Sequence, residues 1–191
     1  MVQIAILLIL IFLLYRQPIF SLKTDRAKKN KIAVIKCVLP GTVNFNYGNI
    51  KDCGVAHREF KNNSLCKNSC MGLYSCINIC SRQAIGKQLD VDSQKCNGCG
   101  DCIEVCPVNI IELVDSKSGE IYISCNTSLK AEEMEEYCPE GCIQCYICIN
   151  VCPTGAIDLT GEGLPVIDYK KCTGCEVCVR KCPPGVIKTV V

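Results

Sequence analysis

Near its carboxyl end the chain writes one ligand spacing twice. Cys142-Ile-Gln-Cys145-Tyr-Ile-Cys148-Ile-Asn-Val-Cys152-Pro153 is followed by Cys172-Thr-Gly-Cys175-Glu-Val-Cys178-Val-Arg-Lys-Cys182-Pro183, so C-x2-C-x2-C-x3-C-P occurs in tandem. Three thiolates two residues apart on a tightly turning loop can grip three irons of one [4Fe–4S] cubane. The fourth Cys points away and reaches the neighbouring cluster. The Pro closes the loop and suits the first turn of a helix, where its missing N–H costs nothing. This crossing predicts Cys142, Cys145, Cys148 and Cys182 on one cluster and Cys172, Cys175, Cys178 and Cys152 on another. A structural zinc site would instead use four Cys in two pairs.

The chain has 20 Cys in 191 residues, a density that means disulfides or metal. The spacing decides for metal, and thiolate clusters need a reducing compartment. With no Trp and only 4 Phe, no large aromatic core is available. The clusters must serve as core, and the chain should be folded when loaded and disordered when stripped. Charge is uneven. Residues 1–65 carry 10 Lys and Arg against 3 Asp and Glu, whereas residues 66–191 carry 11 against 16. An acidic cluster-bearing part favours a basic protein partner over nucleic acid.

A second pair of runs lies upstream. Cys66-Lys-Asn-Ser-Cys70-Met-Gly-Leu-Tyr-Ser-Cys76-Ile-Asn-Ile-Cys80 reads as a widened run, with Ser81 in place of Pro. Cys96-Asn-Gly-Cys99-Gly-Asp-Cys102-Ile-Glu-Val-Cys106-Pro107 is a full one. The same crossing predicts Cys66, Cys70, Cys76 and Cys106 on one cluster and Cys96, Cys99, Cys102 and Cys80 on another. The halves repeat further: Ala84-Ile85 and Ala156-Ile157 follow each first run, and Lys95-Cys96 and Lys171-Cys172 open each second run. The expected fold is α+β: two tandem bacterial-type two-[4Fe–4S] ferredoxin-like units behind a short amino-terminal membrane helix. The divisions are an anchor at 1–22, a basic linker with a small Cys-containing β segment at 23–65, and ferredoxin-like units at 66–125 and 126–191. Strands are predicted over Lys31–Cys37, Ile110–Val114, Glu120–Cys125 and Val186–Val190, and a short acidic helix over Ser128–Tyr137.

Four thiols remain, Cys37, Cys53, Cys125 and Cys138. They read as buried thiols, as a disulfide, or as a further metal site that would add a fifth cluster to the expected four. The single His57 reads as a surface or capping residue. Val2–Leu14 is almost wholly apolar, short for a bilayer unless extended through Leu22 with Arg16 snorkelling. No basic residue precedes it, whereas Lys23, Arg26, Lys28, Lys29 and Lys31 follow. That asymmetry puts the bulk of the chain on the cytoplasmic side of the cell membrane. The alternative is a signal-peptide core, but no small-residue cleavage site follows.

Ala33-Val-Ile-Lys-Cys37, Tyr47-Gly-Asn-Ile-Lys-Asp-Cys53-Gly-Val-Ala56, Cys70-Met-Gly-Leu-Tyr-Ser-Cys76 and Cys138-Pro-Glu-Gly-Cys142-Ile-Gln-Cys145 give the chain a more specific likeness. It resembles the B subunits of Rnf ion-translocating ferredoxin:NAD oxidoreductase complexes. It departs from them in having a basic linker where they usually carry another small Cys-rich cluster domain. The resemblance implies electrons arriving from reduced soluble ferredoxin and leaving toward integral-membrane redox subunits. No Ser/His/Asp set, nucleotide-binding glycine fingerprint or flavin motif is present, so the chain reads as an electron-carrier subunit without catalytic residues of its own. The rivals are a stand-alone anchored polyferredoxin, or subunit of another oxidoreductase, and a metal-dependent assembly or sensor protein.

Overall fold

The computed structural model describes residues 30–37, 46–60, 66–116, 120–127 and 129–190. The predicted anchor over 1–22 lies outside the described residues. Among the described residues, no helix is long and apolar enough to cross a membrane.

The strands are β1 (Lys31–Ile35), β2 (Ile111–Asp115), β3 (Ile121–Ile123), β4 (Ile157–Leu159), β5 (Pro165–Ile167) and β6 (Ile187–Thr189). The helices are α1 (Cys53–Phe60), α2 (Ser75–Ile79), α3 (Asp101–Glu104), α4 (Ala131–Tyr137), α5 (Ile147–Val151) and α6 (Val177–Lys181). Three antiparallel ribbons result: β1 with β2, β3 with β6, and β4 with β5. The first pairs Lys31 with Asp115 through Ile35 with Ile111. The second pairs Ile121 with Thr189 through Ile123 with Ile187. A lone bridge between Ile85 and Val91 stands where the second half has the β4–β5 hairpin. The ribbons cross the divisions drawn from sequence at 65 and 125: β1 pairs into the first unit and β3 into the second.

All four residues Ile32–Ile35 are buried, because β1 is covered on both faces. Ala33 and Ile35 face a core with Ile85, Leu89, Cys102, Ile110 and Ile111. Ile32 and Val34 face the other way, onto Val114, Val190 and Tyr122, where the halves meet. The second half has its own core around Ile121, Ile157, Val186 and Ile187. Burying each such aliphatic side chain is worth about 2 kcal/mol. Helices α2, α5 and α6 have 5 residues each. Isolated helices below about 12 residues are marginal in water, so these exist only through what they pack against.

Local bonds repeat between halves. Asp92 N–H donates to Ala84 O and Asp168 N–H to Ala156 O, both at 2.8 Å. Lys36 N–H donates to Ile110 O and Ser124 N–H to Val186 O, both at 2.7 Å. This equivalence makes Cys37 and Cys125, each two residues past its strand, matching positions.

Candidate metal centres

Each short helix begins on a left-handed residue: Tyr74, Gly100, Tyr146 and Glu176 cap α2, α3, α5 and α6 at φ 60°, 88°, 57° and 59°. That turn lets the thiols on the loop and on the helix's first residues face one space. Gly98, at φ +66°, also lets its loop press on β1, since a Cβ there would stand 2.5 Å from Lys31 O.

Cys142, Cys145 and Cys148 line one hollow together with Cys182, some 34 residues further along the chain. Cys96, Cys99 and Cys102 line a second with Cys80. Cys178 lies within electrostatic reach of Cys172 and Cys152, although burial is the main influence on it. All three sets bring the distant fourth thiol to the neighbouring run, as crossing requires.

The widened run behaves differently. Cys70, Cys76 and Cys106 line a hollow, but the fourth thiol there is Cys53, not the predicted Cys66. The reason is a docked helix start. Asp52 Oδ1 accepts the Val55 N–H at 2.8 Å, capping α1. Ser75 Oγ accepts the Cys53 N–H at 2.8 Å and donates to Asp52 Oδ2 at 3.1 Å. Ser75 adjoins Cys76, so this network fixes Cys53 beside it. Tyr47, Ala56 and Met71 pack around Cys53, with Leu73 against them. Cys66 lies elsewhere, its sulfur 3.8 Å from Thr127 Oγ1. His57 lines none of these hollows, and its Nδ1 is buried without a hydrogen-bond partner among the described residues.

The thiol sets fit [4Fe–4S] clusters on their own chemistry. Burial pushes the Cys70 and Cys102 thiols up to about 12 and Cys76 to about 11. Such thiols stay protonated at neutral pH unless a cation compensates the buried charge. Backbone donors already point at the sulfurs: Ala33 N–H to Cys96 at 3.4 Å, Ala84 N–H to Cys80 at 3.3 Å and Ala156 N–H to Cys152 at 3.2 Å. At Cys152 burial works upward, but the donors from Ala156, Thr154 and Ile157 outweigh it and lower the thiol. Among the described residues no three His, Cys, Asp or Glu close on a single ion. A cubane does not ask for that, because each thiolate takes its own iron.

The sequence held a signal for Cys53 that the widened-run reading overlooks. Counted back from Cys76, the regular run would place its middle ligand at Leu73, between Cys70 and Cys76. Then Cys66 precedes Cys70 by the same x3 interval that separates Cys138 from Cys142.

Comparisons with known proteins agree with this chemistry. A 4Fe-4S dicluster domain matches residues 95–156 and 141–186. An LdpA Fe-S cluster-binding domain matches residues 66–117. The B subunit of the Na(+)-translocating ferredoxin:NAD(+) oxidoreductase complex of Acetobacterium woodii is 33% identical over 130 residues, 66% of this chain and 38% of that protein. The B subunit of the ion-translocating oxidoreductase complex of Methanosarcina acetivorans is 32% identical over 136 residues, 69% of this chain and 51% of that protein. The chain thus spans about half the length, or less, of these relatives. Pyruvate synthase subunit PorD of Methanothermobacter marburgensis is 47% identical over 51 residues, 27% of this chain and 63% of that protein.

Proposed function

We propose that this homologue of Rnf complex B subunits, built on 4Fe-4S dicluster domains, relays low-potential electrons from a soluble donor such as ferredoxin to a membrane redox complex of Rnf type. The dicluster domains imply [4Fe–4S] clusters, and the B-subunit relatives support an iron–sulfur electron-transfer role. One observation carries the reading: thiols far apart in the chain line shared hollows in the crossed pattern. When bound, a [4Fe–4S] cluster supplies one-electron exchange.

The chain's own residues hold, bury and present. Cys142, Cys145, Cys148 and Cys182 form one set; Cys172, Cys175, Cys178 and Cys152 a second; Cys96, Cys99, Cys102 and Cys80 a third; Cys53, Cys70, Cys76 and Cys106 a fourth. Cys145 and Cys175 are exposed while Cys148 and Cys178 are buried, so two sets reach the surface at one corner each. Those corners are the natural approaches for a donor or acceptor. The anchor over residues 1–22 would keep the chain on the cytoplasmic face and raise its concentration at a membrane partner.

The test uses the full chain under anaerobic conditions. It should be reduced by low-potential ferredoxin, show spectra of reduced [4Fe–4S] clusters, and co-purify from membranes with integral redox subunits. Iron-loaded protein that no low-potential donor reduces would overturn the electron-transfer reading. Reducible protein that fractionates alone would replace the Rnf-type partner with a stand-alone polyferredoxin role.

A further inference from the structure

Four thiols stand outside the sets above: Cys37, Cys66, Cys125 and Cys138. They come in two matching pairs. Cys37 and Cys125 follow β1 and β3 at the same distance, and Cys66 and Cys138 precede Cys70 and Cys142 by the same interval. The match extends to bonding, since Cys70 N–H donates to Cys37 Sγ at 3.5 Å and Cys142 N–H donates to Cys125 Sγ at 3.3 Å.

The two pairs also meet. Thr127 is buried, and its Oγ1 lies 3.8 Å from Cys66 Sγ and 3.3 Å from Met134 Sδ. Met134 sits one helical turn before Cys138, whose N–H donates to Met134 O at 2.8 Å. This places Cys66 of the first unit against the α4 end that carries Cys138. Cys138 is within electrostatic reach of Cys125, Cys37 and Cys66, and Cys125 within reach of Cys37. Gly141 lets the chain pass close to Cys138: a Cβ there would stand 2.9 Å from Cys138 Sγ and would collide with Met134 Cε.

We propose that Cys37, Cys66, Cys125 and Cys138 form a fifth [4Fe–4S] site at the junction of the two units, two thiolates from each. This differs from the fifth site open to the sequence alone, which held Cys53 where Cys66 stands. A cubane fits better than one zinc, because no three of these thiols close on a single ion. On binding, each thiol gives its proton to solvent and its sulfur to one iron. The Cys70 and Cys142 N–H groups, which belong to ligand residues of the two flanking sets, then donate to sulfurs of the new site. The junction thereby links the Cys53 set of one unit to the Cys182 set of the other.

The inference rests on the iron–sulfur reading, and the experiment separates the two. Protein reconstituted anaerobically to saturation should contain about 20 irons and 20 acid-labile sulfides, from five cubanes of four. Cys66→Ala and Cys138→Ala should each remove about four irons, and the double variant also about four, because both belong to one cubane. Spectra of the other clusters should persist. A wild-type content of about 16 irons, with or without one zinc per chain, overturns the fifth cluster while leaving the carrier reading intact, whereas protein that takes up no iron overturns both. A double variant that loses about eight irons shows that Cys66 and Cys138 serve different clusters and overturns it too. Should a variant fail to fold, the wild-type iron, sulfide and zinc contents decide alone.

Discussion

In the second unit, the thiols that line the described hollow all come from the two regular runs. In the first, Leu73 stands where the second has Cys145, and Cys53 comes in from helix α1. The exchange changes exposure. Cys145 is exposed to solvent, whereas Cys53 is buried under Tyr47 and Met71. Cluster potentials depend on burial, hydrogen bonding and solvent access, so the two ligand arrangements offer two electrical settings. The β ribbons differ in the same sense: five residue pairs join β1 to β2, but three join β3 to β6. The first unit has the longer ribbon and no exposed thiol among its described runs; the second is open at its thiol corners and carries the β4–β5 hairpin as well.

Removing iron should have the largest effect. Anaerobic chelation should abolish most ordered structure, because 5-residue helices are marginal without the clusters proposed between them. Amide hydrogen exchange on stripped protein should leave the last residual protection in β1 and β2 rather than in β3 and β6. Native circular dichroism after complete stripping would refute the dependence, and equal protection in both ribbons would erase the difference between units.

Next comes the ligand exchange itself. Cys53→Ala should remove about four irons, those of the set with Cys70, Cys76 and Cys106. Adding Leu73→Cys restores the regular C-x2-C-x2-C spacing and should recover that cluster, now with an exposed corner as in the second unit. Unchanged iron in Cys53→Ala would return Cys66 to the site. Failure of Leu73→Cys to rescue would mean the loop 70–76 no longer follows the path of 142–148.

The smallest effect concerns the cap that holds Cys53 in place. Asp52→Asn keeps a capping oxygen and should change little, whereas Asp52→Ala should cost about 1 kcal/mol. The Val55 N–H, with help from Ser75, Gly54 and Arg58, holds the Asp52 carboxyl below its ordinary 3.8. A carboxyl lowered on folding stabilises above its unfolded value and loses that contribution as pH falls through the folded one. The gap between wild type and Asp52→Ala, read as the midpoint of thermal cluster bleaching, should therefore be constant from pH 7 to pH 5. A gap that shrinks over that range would assign the stabilisation to another group.

The amino-acid order by itself showed the repeat and the iron–sulfur chemistry, and it predicts the crossing of fourth ligands. Those follow from short-range spacing, because three thiols on one turn can face one cubane only at fixed intervals. It also placed the strands, since β1, β2, β3 and β6 each overlap a predicted segment, and only β1 is buried without a break from Ile32 to Ile35. It could not decide which isolated thiol joins which set. Cys53 meets Ser75, the residue before Cys76, across 22 positions of sequence, and Cys66 meets Thr127 across 61. Such partners are chosen by how α1 docks and how the two units pack. These are long-range contacts in which many burial and hydrogen-bond energies of a few kcal/mol compete, and no local interval encodes them. Spacing therefore predicts the regular thiol sets, whereas the place of Cys53 beside Cys70 and Cys76, and of Cys66 beside Thr127, comes from tertiary packing.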